Sequence, residues 1–218
     1  MSDAQTLPEQ RWTRRKQARP AEILDAALKV FAAKGFAAAR MDDIARAAGV
    51  TKGTIYLYFE NKEAVFKALV RTEIGGALGM VSAQVAAFEG SASTLLRFMM
   101  TTMLKVLIDS DKVALPKIVI AESANFPWLA EFYRFEVIER GLGLLTGLIQ
   151  RGIDTGEFRS DLPPQHIARL VIAPALLSAI WRVTFSHLDP EPYDFVGLIG
   201  IHLDVLFRGL APLQGDAP

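Results

Sequence analysis

The stretch AAGVTKGTIYLYFENKEAVF, residues 47–66, places Thr51, Lys52, Thr54, Tyr56 and Tyr58 within about two helical turns. A globular core needs only Val50, Ile55 and Phe59 from this segment, so the hydroxyls and the ammonium call for a partner outside the protein. Gly49 ends a run of small residues, and Thr51 is placed to cap a short helix reaching about residue 58. Asn61 is placed to cap the next helix, with Glu63 in its first turn and Ala64, Phe66, Leu69 and Val70 as apolar surface.

Working upstream, AEILDAALKVFAAKG sets Ile23, Ala27, Val30 and Phe31 on one face, beginning at Pro20 and stopping at Gly35. The next segment, MDDIARAA, carries Asp42 and Asp43 where a helix N-terminus favours negative charge, and Gly49 ends it. A two-turn helix, a tight glycine turn and a second short helix form a helix-turn-helix pattern. In that arrangement the second helix offers its N-terminal end to base edges. Gly53 allows close approach and Lys52 supplies reach, while Thr51, Thr54, Tyr56 and Tyr58 suit phosphate oxygens. The plainer alternative makes Tyr56, Tyr58 and Phe59 aromatic core and the lysines solvated surface; Phe59, one turn after Ile55, fits the core.

Residues 35–69, GFAAARMDDIARAAGVTKGTIYLYFENKEAVFKAL, resemble the N-terminal DNA-binding domain of TetR/AcrR-type transcriptional repressors. The resemblance rests on the Gly-Val-Thr-Lys-Gly-Thr-Ile-Tyr core, the Tyr-Phe pair and the following Asn-Lys-Glu. Residues 122–159 also resemble the C-terminal domain of AcrR-like members. Periodicity and the family resemblance together give an all-α chain with a three-helix DNA-binding head at 20–66, and the basic charge run before it reads as a flexible arm at 1–19. The resemblance also implies a larger helical body at 67–218 for effector binding and dimerisation. Carried over by position, Lys52 and Gly53 face bases, Tyr56 touches base or phosphate, and Thr51, Thr54, Tyr58 and Lys62 contact phosphate. Where the family holds a Ser or Thr before the second helix this chain has Arg40 and Met41, so Arg40 replaces the hydroxyl as a phosphate or base contact. The partners so implied are double-stranded operator DNA, a small-molecule effector and a second copy of the chain.

Composition agrees with a regulator more readily than with an enzyme. Lysines and arginines equal aspartates and glutamates at 24 each, but residues 1–62 hold 11 basic against 7 acidic side chains and the remainder 13 against 17. The basic excess sits where phosphate would bind. Cysteine is absent, which excludes disulfides and thiolate metal sites and fits a cytoplasmic protein. His166, His187 and His202 fall at no metal-ligand spacing, no nucleophile and base are paired, and GLGLLTG at 141–147 lacks the spacing of a nucleotide loop. No cofactor is expected. The longest uncharged apolar run, residues 170–181, reads as a buried helix too short to cross a membrane. A helical sensor that never touches DNA is the competing reading, separated by heparin retention followed by a mobility shift.

In the body, soft and aromatic side chains gather on three predicted helices. Phe98, Met99 and Met103 lie on one, Trp128 and Phe132 on a second, Trp181 and Phe185 on a third, a set suited to an apolar cavity. The third of these is expected over 163–187, bent by Pro174, and a further helix over 192–209. This further helix has a broad apolar face of Phe195, Leu198, Ile199, Leu203, Leu206 and Phe207. The family resemblance makes that face a dimer contact; periodicity alone allows it to close its own subunit's core.

Overall fold

The computed structural model describes residues 8–108 and 110–212, which are helical with no strand among them. The chain divides into two compact units, one up to Thr72 and the other from Glu73.

The first unit holds α1 (Pro8–Ala38), α2 (Met41–Ala47), α3 (Lys52–Tyr56) and α4 (Lys62–Val70). Part of the arm expected over 1–19 is therefore helix, since α1 starts at Pro8; residues 1–7 lie outside the described residues. A helix already nucleated by a packed face extends backwards at little cost, and Pro20 removes only one of its backbone donors. Gly35, at φ 75° and ψ 177°, turns the chain sharply near the end of α1 in a conformation that costs glycine little. Ile23, Ala27 and Phe31 of α1 are buried with Ile44 of α2, Ile55 of α3 and Val65, Phe66 and Leu69 of α4. Phe31, Phe36 and Phe66 form an aromatic triad with ring centroids 5.6–5.8 Å apart, two of the pairs edge to face.

A π-helical turn, Arg71–Gly75, follows α4 and leads into α5 (Gly76–Ala87). The second unit continues with α6 (Ala92–Ile108), α7 (Ala114–Glu122), α8 (Pro127–Tyr133), α9 (Arg140–Asp154), α10 (Pro164–Thr184) and α11 (Phe195–Gly209). Its core is centred on α6, whose Leu95, Leu96, Met100 and Leu104 pack with Leu148 and Ile149 of α9, Val171 and Ala175 of α10, and Ile199 and Leu203 of α11. Glu157, in the turn after α9, caps α6: its carboxylate accepts from the backbone N–H of Ala92 at 2.6 Å and of Ser93 at 3.0 Å. The α5 helix is apolar in composition yet buries none of its residues.

Two sequence expectations fail in the second unit. The face Phe195, Ile199 and Leu203 of α11 is buried in its own subunit, so these three are not an open dimer surface, while Leu206 and Phe207 pack half-buried on the same core. Periodicity identifies an apolar face without saying which of two neighbours it meets, and α6, α9 and α10 take this one; Leu198 is half-buried. The apolar residues that α11 leaves open are Ile201 and Val205, 65% and 66% exposed. The second failure is the run at 170–181. The helix that contains it, α10, has 21 residues, runs through Pro174, and by length and composition reaches what a membrane span needs. Only 33% of its apolar window is buried, because Leu170, Leu177 and Trp181 lie on an open side.

Candidate functional site

The helix-turn-helix is built from local rules that place its donors outward. At the end of α2 the Val50 N–H bonds to the Ala45 carbonyl and the Gly49 N–H to that of Arg46, a Schellman ending with Gly49 at φ 65°. The Thr51 Oγ1 accepts from the Thr54 N–H at 3.2 Å, capping α3, and the two threonine hydroxyls are 2.8 Å apart. Ile55 beneath them is fully buried, which fixes the rotation of α3. Thr51, Lys52, Gly53 and Tyr56 are left exposed, Thr54 and Tyr58 half-buried. Phe59 is half-buried. Leu57, which the sequence reading passed over, is one of the most open apolar side chains in the chain, at 81%. Its only signal in the sequence was an apolar residue off the period of Ile55.

At the start of α2, Arg40 occupies the N-cap position with extended backbone, and no side-chain hydroxyl is there to cap it. The Asp43 carboxylate accepts the Arg40 N–H at 3.2 Å and pairs with Lys34 of α1 at 3.0 Å. The Lys34 hydrogen bond is the main reason the Asp43 carboxyl is held below its usual pKa, against the opposing cost of burial. Arg40 is exposed, so its guanidinium is available to a phosphate or a base.

Two lysines differ in what engages them. Lys52 lies 3.0 Å from Asp42, the hydrogen bond raising the ammonium's pKa, and both side chains are largely in solvent. Lys62 donates to the carbonyl oxygens of Phe36 at 2.5 Å and Ala37 at 3.0 Å and sits 4.4 Å from the centre of the Phe36 ring. These carbonyls lie just past the turn at Gly35, where the helix leaves acceptors unpaired. The ammonium expected on phosphate therefore has a structural task, closing the end of α1.

In the body, the seven residues expected to line one cavity do not converge on either groove observed there. Phe98 lies exposed on α6, Met99 and Met103 pack half-buried on the core, and Trp128 and Phe132 are half-buried on α8. Trp181 and Phe185 face each other at the end of α10 with ring centroids 5.0 Å apart, the indole N–H bonding Asp189 at 3.1 Å. A groove of about 500 Å³ runs along α6 past Thr94, Arg97, Phe98, Thr101 and Lys105 to Phe207 of α11. Arg97 crosses to α11, bonding Asp204 and lying 5.4 Å from the Phe207 ring centre. A second groove, about 380 Å³, is lined by Ile108, Arg182, Glu191, Tyr193 and Asp194 among others. Among the described residues no group of three or more His, Asp or Glu side chains is placed to hold a metal ion.

Residues 23–69 match the family of bacterial regulatory proteins called tetR, and residues 94–192 match the AefR-like transcriptional repressor C-terminal domain. The fatty acid metabolism regulator protein of Bacillus subtilis (strain 168) is 27% identical over 89% of this chain and 98% of its own length. The HTH-type transcriptional regulator YfiR of the same strain is 31% identical over 72% of this chain and 76% of its own. In fold, the crystal structure of FadR from Bacillus subtilis in complex with stearoyl-CoA superposes with a TM-score of 0.71, covering 87% of this chain and 98% of that one at 24% identity. The outward donors of α3, the helical body and these likenesses agree, and the chain belongs to the TetR family of bacterial transcriptional regulators.

Proposed function

We propose that the protein is a cytoplasmic homodimeric repressor that binds a near-palindromic operator through two copies of α3 and is released by an amphipathic effector with a long apolar part. The observation that carries the DNA half is the N-terminal end of α3: exposed Lys52, Gly53, Thr51 and Tyr56 over a buried Ile55. In the division of roles, Lys52 and Gly53 face base edges, while Thr51, Thr54, Tyr56, Tyr58 and Arg40 hold phosphates or, for Arg40 and Tyr56, a base. Lys62, expected on phosphate, supports the head through two of its three N–H donors, bonded to Phe36 and Ala37, and this support is its main role.

For dimerisation, Leu170, Leu177 and Trp181 of α10 recur at helical spacing on its open side, and Ile201 and Val205 lie one turn apart on α11. An apolar surface of this kind on two adjacent helices is the sort of patch a second copy covers. For the effector, α5 is an apolar helix without a buried residue, and the α6 groove sets the cations Arg97 and Lys105 beside Phe98 and Phe207. That pairing of charge with apolar area suits an anionic amphiphile. The stearoyl-CoA in the Bacillus subtilis FadR structure makes long acyl thioesters the first class to try.

The test is a mobility shift with the DNA upstream of the protein's own gene, repeated with increasing stearoyl-CoA. A shift that competitor DNA of scrambled sequence does not remove, and that the acyl thioester abolishes, supports both halves. A shift unaffected by acyl thioesters moves the effector to another class; retention on heparin without any specific shift returns the helical sensor that does not act on DNA.

A further inference from the structure

One acidic side chain beside α3 has no part in the proposed DNA contacts, and it touches Lys52. Asp42, in the first turn of α2, reaches across to the Lys52 ammonium, with oxygens at 3.0 and 3.1 Å. The two side chains are ten positions apart in sequence and on different helices, and they are 52% and 65% exposed. A carboxylate helps α2 there through the helix N-terminus, but Asp43 beside it already caps that end and pairs with Lys34. Asp42 therefore adds no cap that α2 otherwise lacks, while it places a negative charge where the polyanionic duplex would dock.

We propose that Asp42 is a specificity-determining residue, which holds Lys52 back from phosphate and so lowers affinity for sequences other than the operator. Binding to arbitrary DNA depends on counterions released as cations settle against phosphates. For Lys52 to join that contact it must leave Asp42, whose carboxylate then stays uncompensated near the phosphate chain. On the operator the exchange is different. Lys52 leaves Asp42 for guanine O6 and N7, acceptors that reward one geometry only. The ion pair is thus broken at a cost in both complexes and compensated in one. An exposed pair of this kind is weak, so the effect is a discrimination of modest size rather than a block on binding.

The inference rests on the proposed role of Lys52 at base edges, and its test separates the two. Dissociation constants are measured for wild type, Asp42→Asn, Asp42→Glu, Lys52→Ala and the double variant Asp42→Asn/Lys52→Ala, on the selected operator and on a scrambled duplex of equal length, across a range of salt. Wild type that fails to distinguish the two duplexes overturns the underlying reading. Given that distinction, Asp42→Asn is expected to bind the scrambled duplex about threefold to tenfold more tightly while gaining less on the operator. Its salt slope on the scrambled duplex should steepen by about 0.9, the signature of one added phosphate contact. Asp42→Glu, which keeps the charge and the reach, should keep the wild-type ratio. In the Lys52→Ala background the Asp42→Asn change should no longer alter the ratio. Equal gains on both duplexes, or a loss of selectivity that persists without Lys52, would overturn the proposal.

Discussion

Asp43 couples the stability of the head to pH through a contact that only folding brings together. Its carboxyl is held below the ordinary aspartate range, first by the hydrogen bond from Lys34, so the stabilisation is present above the unfolded pKa and is lost as pH falls through the lower folded one. Asp43→Asn should therefore melt at a lower temperature than wild type at pH 7, the two curves converging below about pH 4 as the wild-type carboxyl protonates. A pH series of thermal melts checks this; a constant gap at all pH values would remove the carboxylate from the explanation. Lys62 makes a second residue-scale prediction. Lys62→Ala should cost about 1–3 kcal/mol in urea unfolding, as a charged hydrogen-bond donor removed from helix-end carbonyls does, and leave the salt slope of DNA binding unchanged. Lys52→Ala should do the reverse, relaxing base preference at little cost in stability. The sequence made Lys52 legible because its cap, glycine and turn are neighbours along the chain. It could not show that Lys62 meets the carbonyl of Phe36, 26 positions earlier, or that Lys52 meets Asp42, since nothing local encodes either contact.

The helices themselves follow from signals a few residues long. Thr51 and Asn61 cap where expected, Asn61 accepting the Ala64 N–H at 2.8 Å, and Gly35 and Gly49 take positive φ at the predicted stops. Where the reading went astray, the missing knowledge was what lay opposite. Alternation at 3.6 residues marks Phe195, Ile199 and Leu203 as one face of α11, but only the packed body shows that face turned inward. The same limit explains α10, whose continuous apolar run does not say which side meets the core and which is left open. The consequence for assembly is a sharp contrast. Ile201→Asp combined with Val205→Asp should give a folded monomer by light scattering and circular dichroism. Leu203→Asp, which buries a carboxylate in the core, should instead fail to fold or lose several kcal/mol. A double variant at Ile201 and Val205 that stayed dimeric would move the interface off α11.

Taken whole, the proposed DNA contacts fall in the unit up to Thr72 and the proposed effector contacts in the unit from Glu73, with α4, the π turn at Arg71–Gly75 and α5 following one another along the chain between them. A ligand in the second unit can weaken DNA binding only by favouring a state in which the heads no longer fit the operator, and that differential affinity is the whole of the effect. Tenfold release corresponds to about 1.4 kcal/mol, and the linkage is reciprocal: operator DNA must weaken effector binding by the same factor. Titrating stearoyl-CoA by tryptophan fluorescence with and without operator measures it, and tight ligand binding indifferent to DNA would refute the coupling while leaving the ligand site. Underneath that coupling stands the claim that two heads read one symmetric site. Selection of bound duplexes from random DNA by the purified protein tests it most directly. The expected product is a near-palindrome whose half-sites are spaced by about 34–36 Å or a multiple of it, bound by an even number of chains. Enrichment of a single asymmetric half-site bound by one chain, or no enrichment at all, would contradict it.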